Sequence, residues 1–194
     1  MIPYNEFIVI DGYKRLTSPE SSKITGLYDY DTGGIAVGDA SEGLDSYNWE
    51  LTVSGSIARL NKFGGIAISV FTFPSVPIDV AFCFDQSMHP VIAWQDSNDT
   101  VYLRRFNAAT SSFITDVIGS GKCPRLVLDI KDLAIITESD VILTYIADNT
   151  LYYRIQREGY SIPHSIVSNL NPLQRLARIG VSGFRLQLVL TPQG

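Results

Sequence analysis

The sequence has little with which to do chemistry. It holds two cysteines and two histidines in 194 residues, and no G-x-S-x-G elbow, phosphate-cradling glycine loop or H-E-x-x-H helix occurs in it. Cys83 lies in a strand-like run with Val80, Phe82 and Phe84, and neither it nor Cys123 has a histidine at zinc spacing. Free, buried thiols in a reducing compartment are expected rather than a disulfide. His89 and His164 each adjoin a proline in a turn-like segment, where a surface imidazole is expected rather than a catalytic base. No cofactor, metal or catalytic residue is expected.

Long apolar runs are missing too. Nothing approaches the roughly 18 consecutive apolar residues of a membrane span. The opening Met1-Ile2-Pro3-Tyr4-Asn5-Glu6 is neither basic nor followed by a signal-type apolar core, so a protein kept in the cytosol, or exported only as part of something larger, is expected, without membrane insertion. Positive charge is scarce: the net charge is −5, which argues against nucleic acid as a partner. It is also unevenly placed. Residues 1–50 hold nine acidic and three basic side chains, a balance of −6, whereas residues 151–194 hold one acidic and five basic, a balance of +4.

What is present is β-forming. With 45% hydrophobic residues the chain can bury a sizeable core as one domain, or one domain plus an arm. Two stretches fifty residues apart, 90–105 and 140–155, share Val91/Val141, Ile92/Ile142, Thr100/Thr150, Tyr102/Tyr152 and Arg104/Arg154 when aligned without a gap. Each is a β-branched and aromatic run, a turn of Asp, Ser, Asn and Thr, and a second such run, the pattern of a hairpin. Matching upstream strands are expected at 79–84 and 132–137. A third copy begins where Arg175-Leu176 answers Arg125-Leu126, and 184–190 supplies a last strand. The predicted fold is all-β, with antiparallel sheets built from internal repeats of about fifty residues, propeller-blade-like or sandwich-like. Two and a half such units are too few to close a ring.

Residues 1–76 read as an N-terminal arm and β segment, and 77–194 as the β-repeat domain, with Pro74 and Pro77 at the junction. In the first part, 7–10 is strand-like and Asp29-Tyr30-Asp31-Thr32-Gly33-Gly34 reads as a turn, since the remaining ligands of a calcium loop are missing. Residues 47–53 alternate, with Tyr47, Trp49, Leu51 and Val53 on one face of a half-buried strand. The stretch 170–178 could form a turn or two of helix, but its place in the repeat assigns it to loop and strand. The carboxylates Asp96/Asp99 and Asp140/Asp148 sit at turn positions, where Asp bonds its own backbone; a glycosidase pair is the less favoured reading. Trp49, Trp94, Tyr102, Tyr145, Tyr152 and Tyr153 could stack on sugar, but aromatics alternating along strands are more often core or interface.

Four successive segments, 34–44 with Trp49, 82–93, 139–158 and 176–187, resemble a family of virion structural proteins encoded among the tail-tip genes of tailed bacteriophages and prophages. The likeness runs in order from about residue 34. The chain departs from it in the polar start of 1–33 and in Ala147-Asp148-Asn149, where family members often carry a glycine turn. The resemblance implies a non-enzymatic component of a phage tail tip or baseplate, assembled in the host cytoplasm into the virion, with other tail proteins and copies of itself, as a homotrimer, for partners. The alternatives are a receptor-binding module contacting a host surface glycan or pilus and, more remotely, a cell-wall hydrolase. For a head-to-tail contact the charge asymmetry suggests an acidic side of Asp29, Asp31, Asp39, Glu42 and Asp45, a cationic side of Arg175, Arg178 and Arg185, and buried affinity from a strand carrying Tyr47 and Trp49.

Overall fold

The alternating and β-branched runs become strands, and the strands sort into four antiparallel sheets. The computed structural model describes residues 6–10, 16–17, 24–28, 47–62, 67–85, 87, 89–129, 140–182 and 185–192. Among these the only helical element is a 3-10 turn at Gln156–Glu158, and no helix is long and apolar enough to cross a membrane. The four sheets follow one another along the chain. The first contains β3 (Ile24–Tyr28), β4 (Tyr47–Ser54), β5 (Ile57–Lys62) and β6 (Ala67–Thr72), in that order. The second contains β7 (Asp79–Phe84), β8 (Pro90–Gln95), β9 (Thr100–Asn107) and β10 (Ser112–Ser120), again in sequence order. In the third, β11 (Lys122–Asp129), β12 (Val141–Ala147), β13 (Thr150–Ile155) and β14 (His164–Val167) are joined at the β11 edge by β2 (Leu16–Thr17). The fourth pairs β15 (Gln174–Ser182) with β16 (Arg185–Pro192), and β16 in turn with β1 (Glu6–Ile10).

The first strands of successive sheets lie together: β3 contacts β7, β7 contacts β11, and β11 contacts β15. This is the stacking order of propeller blades. Burial follows it. In the second sheet β7 and β8 are buried on both faces after their first residue, whereas β10 is largely exposed. One apolar cluster, including Leu60, Phe73, Phe82, Trp94, Leu103, Leu126 and Leu143, joins the first three sheets, so it runs across the 74–77 junction. A second, around Val127, Ile146, Leu176 and Leu188, joins the third to the fourth.

Among the described residues the β segment expected before residue 77 forms one sheet, and the stretch expected to carry the repeats contributes to three more. Two expectations need correction. The N-terminal strand β1, read from the sequence as part of an arm, lies on β16 with Phe7 opposite Val189. Finally, the partner of β12 is β11, from 122–129; the strand expected at 132–137 lies outside the described residues, as does Asp29–Gly34. Within 170–178, the residues from Gln174 belong to the strand Gln174–Ser182 rather than to a helix.

Both predicted hairpins form, but their register departs from the gapless alignment by one residue. In the first, Trp94 faces Tyr102 and Ile92 faces Arg104; in the second, Tyr145 faces Tyr152 and Leu143 faces Arg154. The third strands therefore correspond at an offset of fifty and the second strands at fifty-one. The turns explain the difference. Asp148 and Asn149, with φ of 47° and 55°, form a two-residue connection of the kind that requires positive φ twice, whereas the first hairpin turns through Ser97-Asn98-Asp99 with only Asp99 at positive φ.

Cys83 and Cys123 are free and buried in the two separate apolar clusters. Burial pushes both thiols above their ordinary pKa, which suppresses the reactive thiolate. Mass spectrometry of the native protein after iodoacetamide should find both unmodified, and both labelled once the chain is unfolded in guanidinium; rapid labelling of the native state would contradict this packing.

Candidate functional site

The residues proposed from charge fall in different places. Asp29, Asp31, Asp39, Glu42 and Asp45 lie outside the described residues. Tyr47 and Trp49 belong to β4, facing Tyr28 and Gly26 of β3 along the backbone ladder. Arg175 and Arg178 are in β15 and Arg185 in β16; Arg175 donates across the hairpin to Thr191 Oγ1 at 3.4 Å.

The clustered carboxylates serve turns. Asp96 is buried and accepts the backbone N–H of Asn98 and Thr100 and the hydroxyl of Tyr102, at 2.9, 3.0 and 3.1 Å. Asp140 accepts from the backbone N–H and the Nε of Arg157, fixing the start of β12 against the 3-10 turn. Asp148 is exposed at its hairpin tip. The Thr100 N–H, with the Asn98 N–H and the Tyr102 hydroxyl behind it, holds the Asp96 carboxyl below its usual range despite burial. Folded Asp96 thus gives up its proton at lower pH than the unfolded chain does. Its contribution to stability is complete above the ordinary value of about 3.9 and is lost as pH falls through the lower folded value. Thermal melts should show the wild type's advantage over Asp96→Asn shrinking as pH falls below about 4; a gap that stayed constant there would contradict the assignment.

Of the aromatics named as sugar platforms, Trp94 and Tyr145 are interior, and Tyr102, Tyr152 and Tyr153 are half-buried against the apolar clusters. Trp94 is 1% exposed and Tyr145 3%. They stack across their hairpins on Tyr102 and Tyr152, with centroids 5.2 and 5.7 Å apart. The exposed ring among the described residues, Phe113, sits elsewhere. Because successive residues of a strand point to opposite faces, the adjacent arginines of β9 diverge. Arg105 pairs with Asp116 at 2.6 Å and lies over the Tyr160 ring. Arg104 lies on the other face between two phenyl rings, 4.5 Å from the Phe71 centroid and 4.6 Å from that of Phe113.

From Phe113 a ladder of rings continues through Phe106 to His89. Phe113 faces Phe106 across the β9–β10 register, with centroids 5.5 Å apart edge to face. His89 stacks flat on Phe106 at 3.8 Å. The imidazole is held there by Asp85, whose Oδ2 is 3.1 Å from Nδ1 and whose Oδ1 accepts the backbone N–H of Ser87 and of His89. Beneath Arg104, the cleft between the first and second sheets is walled by Leu51, Leu60, Ile92 and Pro90 and encloses about 20 Å³, enough for roughly one water-sized group. Partial burial lowers the Arg104 pKa, but a guanidinium remains charged at neutral pH.

The geometry around His89 is not that of an activated nucleophile. Asp85 and His89 resemble the orienting half of a nucleophilic triad, yet Phe106 covers one imidazole face. Cys83, the thiol of the same region, is buried and pushed toward its neutral form, the opposite of activation. The other histidine, His164, pairs with Glu158 at 2.7 Å and stacks on Tyr153. Sequence reading missed the Arg104 cleft because Phe71 reaches it from another sheet; the one signal available was the pair Arg104-Arg105, which a strand must split between its faces.

Fold and site together define an all-β protein of four successive antiparallel sheets with a cationic, aromatic cleft between the first two. No protein-family model, curated protein or solved structure gave a significant match to this chain.

Proposed function

We propose that the protein is a non-enzymatic structural component of a bacteriophage tail tip or baseplate, a rigid β-sheet body that joins copies of itself and neighbouring tail proteins in the virion. The ordered likeness of its motifs to tail-tip proteins motivates this reading, and one structural observation favours it: charged groups are used to tie sheet to sheet. Arg125 bridges β7 and β15 through Asp79 and the Ala177 carbonyl, and Arg154 bridges the third sheet to the Ile118 carbonyl of the second. Such cross-links favour a stiff body over a moving catalyst. The cationic residues Arg175, Arg178 and Arg185 are the contact proposed for a neighbour's acidic N-terminal half. Deleting 1–46 would also remove three paired strands, so charge reversal is the cleaner test. Mass photometry should find a trimer for the full chain and a shift toward monomer when the three arginines become glutamate; a wild-type monomer that also fails to join tails would overturn the reading.

A receptor-binding role is the second reading, favoured by the ring ladder of Phe113, Phe106 and His89 beside Arg104. Binding to host cells, absent for a variant lacking these rings, would select it.

A further inference from the structure

Arg104 and Arg154 hold corresponding register positions in two successive sheets, yet their surroundings differ in one respect. Arg154 spends its donors within the protein: Nε donates to the Tyr145 hydroxyl at 3.0 Å, Nη1 to the Tyr160 carbonyl at 2.7 Å and Nη2 to the Ile118 carbonyl at 3.1 Å. For Arg104, none of the described residues accepts a hydrogen bond from the guanidinium; its contacts are the two phenyl rings. A sequence change accounts for part of the contrast. Where the second hairpin has Tyr145, the first has Trp94, whose indole N–H donates but cannot accept. The preceding sheet presents the Phe71 ring to Arg104, whereas Arg154 receives the Ile118 carbonyl from its own preceding sheet.

A guanidinium carries five N–H donors in a planar fork shaped for carboxylate. Leaving all five without acceptors in a half-buried site is costly unless water or a ligand supplies them. Here the guanidinium carbon lies 4.5 Å from the Phe71 ring centroid and 4.6 Å from that of Phe113, so the two rings hold the fork in place, and it borders a cleft with space for about one polar group. The remaining walls are apolar, and Phe113 stands at the rim, 37% exposed, backed by the half-buried Phe106.

We propose that this cleft is a binding site for a carboxylate borne on a six-membered ring, with the carboxylate taken by Arg104 and the ring lying along the exposed Phe113. The ring body would be either an aromatic acid or an acidic sugar, both of which share this chemistry. The site is defined by its own geometry and does not depend on the tail-tip reading.

The test uses the full chain, titrated by calorimetry with sodium benzoate and, separately, sodium glucuronate, and repeated with neutral benzamide. At least one of the two carboxylates should bind, and benzamide should bind far more weakly. Arg104→Gln should weaken that binding about 10- to 100-fold, as expected for lost hydrogen bonds to a charged group, while Arg104→Lys, which keeps the charge without the fork, should restore part of it. Binding of glucuronate would identify the acidic-sugar source and binding of benzoate alone the aromatic one. Failure of both carboxylates, equal binding of benzamide, or unchanged affinity in Arg104→Gln would overturn the proposal. Should Arg104→Gln not fold, as judged by circular dichroism, Phe113→Ala decides: Phe113 is 37% exposed at the rim, and its loss should weaken binding several-fold, with unchanged affinity counting against the site. Loss of trimerisation in the arginine-to-glutamate variant above, by contrast, would bear only on assembly.

Discussion

Replacing Arg125 with alanine is expected to destabilise the protein by about 3–5 kcal/mol, the usual cost of removing one partner of a buried ion pair. Arg125 is 6% exposed and holds together the first strands of three sheets. Its Nη1 donates to Asp79 Oδ2 of β7 at 2.9 Å and to the neighbouring Pro124 carbonyl, and its Nε donates to the Ala177 carbonyl of β15 at 3.0 Å. Alanine would leave the Asp79 carboxylate partly buried without its cation and the Ala177 carbonyl without that donor. The urea midpoint should fall sharply. Because the damage comes largely from the orphaned charge, Asp79→Asn combined with Arg125→Met should cost less than the sum of the single changes. A loss below about 1 kcal/mol for Arg125→Ala would place it among ordinary surface pairs and contradict its role as the tie between inner strands.

Trp94→Ala should be comparably severe, about 3–5 kcal/mol, as for other buried large aromatics truncated to alanine. The indole stacks on Tyr102 at 5.2 Å and 14°, and meets Phe71 and Phe73 at 5.4 and 5.2 Å. It therefore joins the first sheet, through Phe71 and the Phe73 that follows it, to the second. Trp94→Phe should recover part of the loss by filling part of the cavity. Phe71 lies between Trp94 and Arg104, so the alanine variant should also loosen the proposed carboxylate cleft. Chemical denaturation compared across the three proteins reads the ranking; an alanine variant as stable as the phenylalanine one would show that the ring is not packed as described.

Local chemistry made much of the architecture readable. Alternation in 47–53 and the apolar runs at 79–84 and 90–95 specify strands, since period two is a property of the backbone itself. Asp96, Asp99, Asp148 and Asn149 mark the hairpin turns because short polar side chains tolerate the needed dihedrals and bond nearby N–H groups. The hairpin register was less readable: counting identical residues favoured a gapless match, whereas backbone twist selected a two-residue turn at Asp148-Asn149 and a longer one at Ser97-Asn98-Asp99.

The sequence alone thus determined the all-β class, the hairpins and the two separate buried thiols, each of which depends on residues close together in the chain or on their periodicity. Tertiary structure decided the count of four sheets, the pairing of β1 with β16 and the position of the Arg104 cleft. These depend on contacts between residues far apart in sequence: Phe7 meets Val189, and Phe71 meets Arg104. No local pattern encodes such pairs. Arg104 and Arg154 look alike as letters and hold like register positions, but only the neighbouring sheet determines which guanidinium is supplied with acceptors and which is left facing a cleft.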